Sequence, residues 1–209
     1  RSLCDWSSDV CSSDLFYAPQ TTQDSQGRRL LFGWLGLPEE NEMSQPTLDH
    51  GWIHQMSCPR ELFWQDEWLC QRPVAELGAL KGVQTRFEGA PDELPALAID
   101  SAWLDLALCG EGRLGFGAVV ELCWQPGRLV LRRQNWQSGE WEERSAPWLG
   151  GKITVLCDRS SLECFVDGGR QSLSTRYFPG ENPVLSARCD GDGSKICLDH
   201  WPLATCLVQ

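Results

Sequence analysis

Cysteines and histidines are the residues of this sequence with the most distinctive chemistry, and their spacing restricts what they can do. Eleven cysteines and three histidines occur among 209 residues, and no two cysteines have the C-x-x-C spacing of a zinc or redox site. Several cysteines alternate with apolar residues, as at 153–157 and 162–166. We therefore predict no metal site, and reduced thiols that pack as small apolar side chains in a cytosolic protein. Disulfides in a secreted protein are the alternative.

A glycine motif at residues 110–115, G-E-G-R-L-G, matches the G-x-G-x-x-G pattern of dinucleotide-binding loops. That function needs a helix directly after the loop, because the N–H groups at its N-terminus bind the pyrophosphate. Residues 116–124, F-G-A-V-V-E-L-C-W, have a strand pattern instead. We therefore predict a β-turn at this motif, and no cofactor for the chain.

Charge and hydropathy exclude two further classes of protein. The chain has 29 acidic and 18 basic side chains and a formal charge of −11. A general nucleic-acid binder would show a basic stripe, and a membrane span would need about 18 consecutive apolar residues. Neither pattern occurs in the sequence, so we predict no nucleic-acid partner, no membrane insertion and a cytoplasmic location.

The first fifteen residues have neither a strand or helix period nor the apolar segment of a signal peptide. Residues 4–15, C-D-W-S-S-D-V-C-S-S-D-L, resemble the in-frame translation of a sequencing-library adapter. We interpret residues 1–15 as a disordered artefact at the start of a 5′-truncated reading frame. A natural disordered tail is the alternative.

Short strands separated by turn residues fill residues 16–77. Two apolar and aromatic runs, 16–22 and 29–35, flank D-S-Q-G and predict a hairpin. The polar segment 38–51 predicts a loop. Further strands are predicted at 53–58, 61–65 and 68–72. Four or five consecutive antiparallel strands are typical of one propeller blade.

The pattern changes after a helical turn predicted at residues 76–81. Turn signals such as P-G, S-G and D-G-G separate the strands of the remainder. Ten strands at this spacing predict a β-sandwich over residues 82–209. The strands are predicted near 84–88, 96–108, 113–125, 128–134, 140–146, 152–158, 161–167, 171–177, 184–190 and 195–201. The fold class is therefore all-β, with a blade at 16–77 followed by a sandwich.

Six sequence motifs, in one order, resemble glycoside hydrolase family 32, the β-fructofuranosidases, and within it the bacterial enzymes that act on sucrose 6-phosphate. They are F-Y-A-P-Q-T at 16–21, G-R-R-L-L-F-G-W-L-G at 27–36, G-W-I-H-Q-M-S-C-P-R-E-L at 51–62, Q-R-P-V-A-E-L at 71–77, D-R-S-S-L-E-C-F-V-D-G-G at 158–169 and S-T-R-Y-F-P at 174–179. The resemblance implies that the blade is the last of a five-bladed propeller, followed by the C-terminal sandwich. It also implies a retaining hydrolase whose substrate is sucrose, sucrose 6-phosphate or another β-fructoside.

The catalytic carboxylates that the resemblance implies lie in three motifs, N-D-P-N, R-D-P and E-C-P, and none of the three occurs in the sequence. Glu163 precedes Cys164 but is followed by Phe165 rather than proline. We therefore expect Glu163 to be an exposed strand carboxylate, assign no catalytic residue, and predict that the chain alone is inactive.

Two aromatic residues are predicted to bind substrate. By resemblance, Trp34 lines the fructose pocket, where an indole face packs on the apolar side of the sugar ring. Tyr17 is a second pocket residue. A buried core position is the alternative for Trp34, and structural roles are favoured for His54 and Arg60. Arg60 is expected to hold a carboxylate of the blade or to be solvated.

Four tryptophans, at 124, 136, 141 and 148, occur within three neighbouring predicted strands. Exposed on one face of a sheet, they would form a sugar-binding platform, which makes a stand-alone carbohydrate-binding β-sandwich the alternative function. We favour the interpretation that they fill the sandwich core or its contact with the propeller blade.

Overall fold

A computed structural model describes residues 16–36 and 42–204, and the segment interpreted as an adapter lies outside the described residues. These two ranges are all-β, as predicted, and form one five-stranded sheet and two six-stranded sheets. None of the helices within the described ranges is long and apolar enough to cross a bilayer.

The N-terminal sheet contains five strands: β1 (Phe16–Gln23), β2 (Arg29–Leu35), β3 (Gln55–Met56), β4 (Arg60–Gln65) and β5 (Trp68–Pro73). Its order is β1-β2-β4-β5, with β3 also pairing with β2. The predicted hairpin between β1 and β2 is confirmed. Asp24 makes its turn, because its Oδ1 accepts N–H bonds of 2.9 Å from both Gln26 and Arg28.

The predicted strand at 53–58 is shorter than expected, since only Gln55–Met56 pairs as β3. The Ser57 N–H still donates to β2, to the Gly33 carbonyl at 2.8 Å, but the Cys58 N–H donates to the side chain of Glu163 in the sandwich at 2.6 Å. Pro59 has no N–H to donate. The chain therefore bends between β3 and β4.

Twelve strands form the two-sheet sandwich. They are β6 (Thr85–Gly89), β7 (Leu97–Ala98), β8 (Ser101–Cys109), β9 (Gly112–Phe116), β10 (Val120–Gln125), β11 (Gly127–Gln134), β12 (Trp141–Trp148), β13 (Ile153–Asp158), β14 (Ser161–Val166), β15 (Gln171–Arg176), β16 (Val184–Cys189) and β17 (Lys195–Pro202). One sheet has the order β12-β11-β10-β9-β16-β7, and the other has the order β15-β14-β13-β8-β17-β6.

Two of the ten predicted sandwich strands are each divided in the structure. Segment 96–108 forms β7 in one sheet and β8 in the other, so the chain changes sheets between Ala98 and Ser101. Segment 113–125 forms the β9–β10 hairpin, and its turn includes Gly117 with φ +61°. In the glycine motif at 110–115, Gly110 and Glu111 form a bend and the other four residues belong to strand β9, so the motif is followed by a strand rather than a helix, as predicted.

The main core lies between the two sandwich sheets. Inward side chains alternate along the strands, as in β8, where Ala102, Leu104 and Leu106 are buried. Cys157 and Cys164 belong to this core, as predicted for small apolar side chains. Cys109 is exposed, however, and the prediction fails there. All eight cysteines in the described part of the chain are free.

Short 3-10 helices occupy the connections: Glu42–Ser44, Pro46–His50, Ala75–Leu80, Pro91–Glu93 and Asp167–Gly169. The third of these corresponds to the helical turn predicted at 76–81. After it, Lys81 forms a β-bridge with Leu203, and the Gly82 N–H donates to the Pro202 carbonyl at 2.8 Å. The segment that joins the N-terminal sheet to the sandwich is therefore hydrogen-bonded to the end of β17.

Candidate functional site

Tyr17, Trp34 and His54 form an aromatic cluster on the N-terminal sheet. Tyr17 and Trp34 are direct partners across the β1–β2 ladder. Their ring centroids lie 5.8 Å apart, and those of Trp34 and His54 lie 4.4 Å apart. Both pairs have the edge-to-face geometry that aromatic quadrupoles favour. The structure therefore brings together the two residues predicted to bind substrate and adds an imidazole.

Two glycines of the G-R-R-L-L-F-G-W-L-G motif allow this arrangement. A side chain at Gly33 would overlap the ring of Phe16, and one at Gly36 would overlap the imidazole of His54. The Gly33 N–H also donates to the Ser57 hydroxyl at 3.0 Å, which holds the end of β2 against the segment after β3. Close backbone approach therefore fixes the strand that carries Trp34.

Part of the aromatic cluster remains accessible. Tyr17 is 39% exposed, and Trp34 and His54 are half-buried. Trp52, also 39% exposed, precedes His54 by two residues. An accessible indole flanked by a phenol and an imidazole can stack on an apolar sugar face and hydrogen-bond to sugar hydroxyls.

Arg60 and Glu163 form a buried ion pair between β4 of the N-terminal sheet and β14 of the sandwich. Arg60 is 1% exposed and Glu163 is 3% exposed. Arg60 Nε donates to Glu163 Oε2 at 3.0 Å, and Nη2 donates to the same oxygen. The other Glu163 oxygen accepts the Cys58 N–H. The expected exposure of Glu163 is therefore wrong, because the N-terminal sheet covers this strand.

The remaining Arg60 donors are also satisfied. Nη1 donates to Gln71 Oε1 at 2.6 Å, and Nη2 donates to the Ser174 hydroxyl at 2.8 Å. The guanidinium lies over the ring of Phe16, 4.2 Å from its centroid. The structural role favoured for Arg60 is confirmed, but its carboxylate partner belongs to the sandwich rather than to its own sheet.

Arg176, the last residue of β15, is a second buried cation at this contact, and the sequence reasoning did not single it out. It is 1% exposed, and its Nε donates to the Ser160 carbonyl at 2.9 Å. Its Nη1 donates to the carbonyl oxygens of Leu35 and Ile53, both at 3.1 Å. Burial, and then the nearby charge of Arg133, lower the pKa of Arg176 to about 10, so the group stays protonated at neutral pH.

The four tryptophans that could have formed a platform do not share one accessible face. Trp124 and Trp148 are buried in the sandwich core. Trp136 is half-buried, and its Nε1 donates to the Ser44 hydroxyl at 3.1 Å, between β2 and β3. The favoured interpretation is confirmed for these three. Trp141 is exposed and stacks with Arg132, so the interpretation fails there.

Two clefts of the described residues are lined by residues other than Tyr17, Trp34 and His54. One of about 480 Å³ is on the outer face of the sandwich, lined by Arg113, Glu121 and Arg188. Another, of about 380 Å³, lies between the N-terminal sheet and the sandwich and is lined by Met56, Cys58 and Glu163. Burial, reinforced by the Glu163 carboxylate, raises the pKa of the Cys58 thiol.

Two solved structures share this architecture over part of their length. A sucrose-6-phosphate hydrolase from Lactobacillus gasseri superposes with a TM-score of 0.76 at 22% identity, over 93% of this chain and 42% of that one. A β-fructofuranosidase from Bombyx mori superposes with a TM-score of 0.73 at 22% identity, over 91% and 41%. This chain therefore has the fold of one part of each of these two structures.

Sequence comparison is more specific. The "Glycosyl hydrolases family 32 N-terminal domain" model matches residues 9–73, and the "Glycosyl hydrolases family 32 C terminal" model matches residues 128–193. The chain belongs to glycosyl hydrolases family 32. Sucrose-6-phosphate hydrolases of Salmonella typhimurium and Klebsiella pneumoniae are 42% and 38% identical to it. Each alignment covers 93% of this chain but only 40% of the relative.

Proposed function

We propose that this chain is the part of a β-fructofuranosidase that supplies the last blade of a five-bladed propeller, at residues 16–77, and the C-terminal sandwich, at residues 82–209. The observation that carries the proposal is the match of both family domains in order along one chain. The relatives' names favour sucrose 6-phosphate as substrate, with sucrose and other β-fructosides as further possibilities.

The reaction of the complete enzyme is a retaining hydrolysis of a terminal β-fructofuranosyl bond. It needs a carboxylate nucleophile and a carboxylic acid about 5 Å apart, because one must reach the anomeric carbon while the other protonates the leaving oxygen. Glu163 cannot serve as that acid, since both of its oxygens accept hydrogen bonds within the contact to the N-terminal sheet. We propose that the nucleophile and the acid come from blades outside this chain.

In this proposal, Trp34 and Tyr17 form one wall of the fructose pocket. Their accessibility and mutual edge-to-face contact support the role, because a preoriented indole can stack on the sugar without losing side-chain freedom.

The free thiols of the described residues are compatible with a reducing cytoplasm.

The proposal is tested by comparing this chain with the reading frame extended upstream. We expect no turnover of sucrose or sucrose 6-phosphate by this chain at micromolar concentration. An extended protein that includes the N-D-P-N, R-D-P and E-C-P motifs should hydrolyse a β-fructoside and release β-fructose first, as followed by NMR. Turnover by the short chain, or an upstream sequence without these motifs, would overturn the proposal.

The pocket wall is tested separately in the extended protein. Trp34→Ala should raise KM for the fructoside by about five- to thirtyfold, since a stacking contact between the indole and the sugar contributes on the order of 1–2 kcal/mol. Trp64→Ala is the matched control, because Trp64 lies on β4 of the same sheet and is more exposed. Equal KM values for the two variants would contradict the proposal that Trp34 binds the sugar.

The alternative function is a stand-alone carbohydrate-binding sandwich. Its main support was a platform of exposed tryptophans, but Trp124 and Trp148 are buried. It predicts that residues 82–209 bind oligosaccharides without the N-terminal sheet. Calorimetric titration of that fragment with short fructans distinguishes the two hypotheses.

A further inference from the structure

Arg176 is held in place by the sandwich. It is the last residue of β15, and its guanidinium forms two hydrogen bonds with Ser160. Nε donates to the Ser160 carbonyl at 2.9 Å, and Nη2 donates to the Ser160 hydroxyl at 3.3 Å. The rings of Trp52 and Phe178 lie 5.5 and 5.4 Å from the guanidinium carbon. The planar donor group therefore has one well-defined orientation.

The other hydrogen bonds of the Arg176 guanidinium go to backbone carbonyls next to the aromatic cluster. The Nη1 group donates to the carbonyl of Leu35, which follows Trp34, and to the carbonyl of Ile53, which precedes His54. Leu35 ends β2, and Ile53 comes two residues before β3. One guanidinium group thus joins the two ends of the connection between these strands.

Two more contacts attach the first residue of β3 and the connection itself to the sandwich. The Ser160 hydroxyl donates to Gln55 Oε1 at 2.8 Å, and the indole of Trp136 donates to the hydroxyl of Ser44 at 3.1 Å. The ring of Trp136 also packs edge-to-face on Phe178, at 5.2 Å. The connection is therefore held at its base by Arg176 and farther along by Trp136.

We propose that Arg176 is a positioning residue through which the sandwich sets the orientation of Trp34 and His54. The inference rests on the proposed function, because Trp34 is a pocket residue only in that proposal. The sandwich would then help to determine the shape of the fructose pocket. A lysine could not replace Arg176, since a single ammonium group cannot reproduce the fixed fork that reaches Ser160, Leu35 and Ile53 together. The expected consequence of a change at Arg176 is a displaced Trp34 in a protein that still folds.

The experiment uses the whole chain labelled with 5-fluorotryptophan and observed by 19F NMR, with the Trp34 signal assigned from Trp34→Phe. Arg176→Lys should shift or broaden the Trp34 signal. The signals of Trp103 and Trp201, on the outer face of the β8–β17 pair, should stay at their wild-type positions and report an intact sandwich.

Two control variants separate positioning from general destabilisation. Arg170→Lys alters another contact between the sandwich and the N-terminal sheet, the 3.0 Å ion pair with Asp66, away from the cluster. Ile153→Val loosens the sandwich core. Both should leave the Trp34 signal unchanged. An unshifted Trp34 signal in folded Arg176→Lys would overturn the inference.

If Arg176→Lys does not fold, Ser160→Ala decides the question in the same way. It removes the hydroxyl that contacts both Gln55 and Arg176, and it should move the Trp34 signal in the same direction by a smaller amount. An unchanged signal in Ser160→Ala would then overturn the inference.

Fructose titration of the wild-type chain keeps the two proposals apart. If fructose shifts the Trp34 signal and Arg176→Lys weakens the fructose affinity severalfold, both the pocket-wall proposal and the positioning role are supported. A sugar-dependent shift that is identical in Arg176→Lys overturns the positioning role alone. If the Trp34 signal moves in Arg176→Lys but Trp34→Ala leaves KM of the extended protein unchanged, the positioning role stands and the pocket-wall proposal fails.

Discussion

Arg60 and Glu163, which are 103 positions apart in the chain, form a buried ion pair between the N-terminal sheet and the sandwich. Burying two charges costs several kcal/mol per ion, and their attraction offsets this only when the remaining donors and acceptors are also satisfied. Gln71, Ser174 and the Cys58 N–H complete that set. The charged and polar groups of this buried contact are therefore paired across the two parts of the chain.

Removing one partner of this pair should be far more damaging than removing both. Glu163→Leu leaves the Arg60 charge buried and unpaired, so we expect a loss of about 3–5 kcal/mol in the free energy of unfolding. The double variant Arg60→Met with Glu163→Leu should recover most of that loss. Urea denaturation of the single and double variants measures both values. A double variant as unstable as the single one would contradict this account.

The Glu61–Arg72 pair provides the matched control. Glu61 follows Arg60 on β4, but its partner at 3.0 Å lies on β5 of the same sheet, and the Arg72 side chain is 55% exposed. Glu61→Leu should change stability by less than about 1 kcal/mol, because water screens exposed pairs.

Local signals predicted much of the fold. The β1–β2 hairpin follows from Asp24 and Gly27, whose side-chain and backbone preferences act within four residues. The sandwich strands follow from alternation, which β8 displays clearly. Strand β14 breaks that rule because all six of its residues are buried, one face by the sandwich core and the other by the N-terminal sheet. For this reason, the alternation of the sequence wrongly predicted an exposed Glu163.

The candidate site was predictable only in part. Trp34 and Tyr17 lie in motifs that identify them by resemblance, and their pairing across β1 and β2 follows from the hairpin register. Arg176 was not identified, although it lies within the S-T-R-Y-F-P motif, because its carbonyl partners belong to Leu35 and Ile53, more than 120 positions away. Carbonyl oxygens are present in every residue, so no sequence pattern marks such a partner.

Gly169 is a site where any side chain should disrupt the contact between the sandwich and the N-terminal sheet. Its φ is +92°, and a Cβ there would overlap the carbonyl oxygen of Gln71 on β5. Gly169→Ala should therefore cost about 3 kcal/mol or more, combining backbone strain with displacement of β5. Gly168→Ala is the control, since its φ is +72° but nothing lies near its Cβ, and it should cost only about 1–2 kcal/mol. Equal losses in thermal unfolding would argue against a tight contact at Gly169.

Lys81 connects the two parts of the chain through a cation–π contact. Its Nζ lies 3.8 Å from the ring centroid of Trp103 and 3.9 Å from that of Trp201. Lys81→Met keeps the apolar stem but loses the charge, so it should reduce the free energy of unfolding by about 1 kcal/mol, whereas Lys81→Arg should retain stability. The exposed Lys152→Met tests the general effect of losing a cation. If Lys81→Met and Lys152→Met have the same effect in urea denaturation, the aromatic contact contributes nothing measurable.

Glu142 makes part of the stability acid-sensitive. Burial opposes ionisation, but hydrogen bonds from Asn135 and Arg133 outweigh it and hold the pKa of Glu142 below its ordinary value of 4.5. A carboxyl whose pKa is lower in the folded state contributes stability above its unfolded pKa, and this contribution is lost as the pH falls through the folded value. Thermal unfolding of wild type and Glu142→Gln should therefore differ most near pH 6, with the wild type more stable, and converge below about pH 4. The exposed Glu140→Gln should show no such convergence. A difference between wild type and Glu142→Gln that stays constant from pH 6 to pH 3 would mean that the Arg133 contact does not depend on the charge of Glu142.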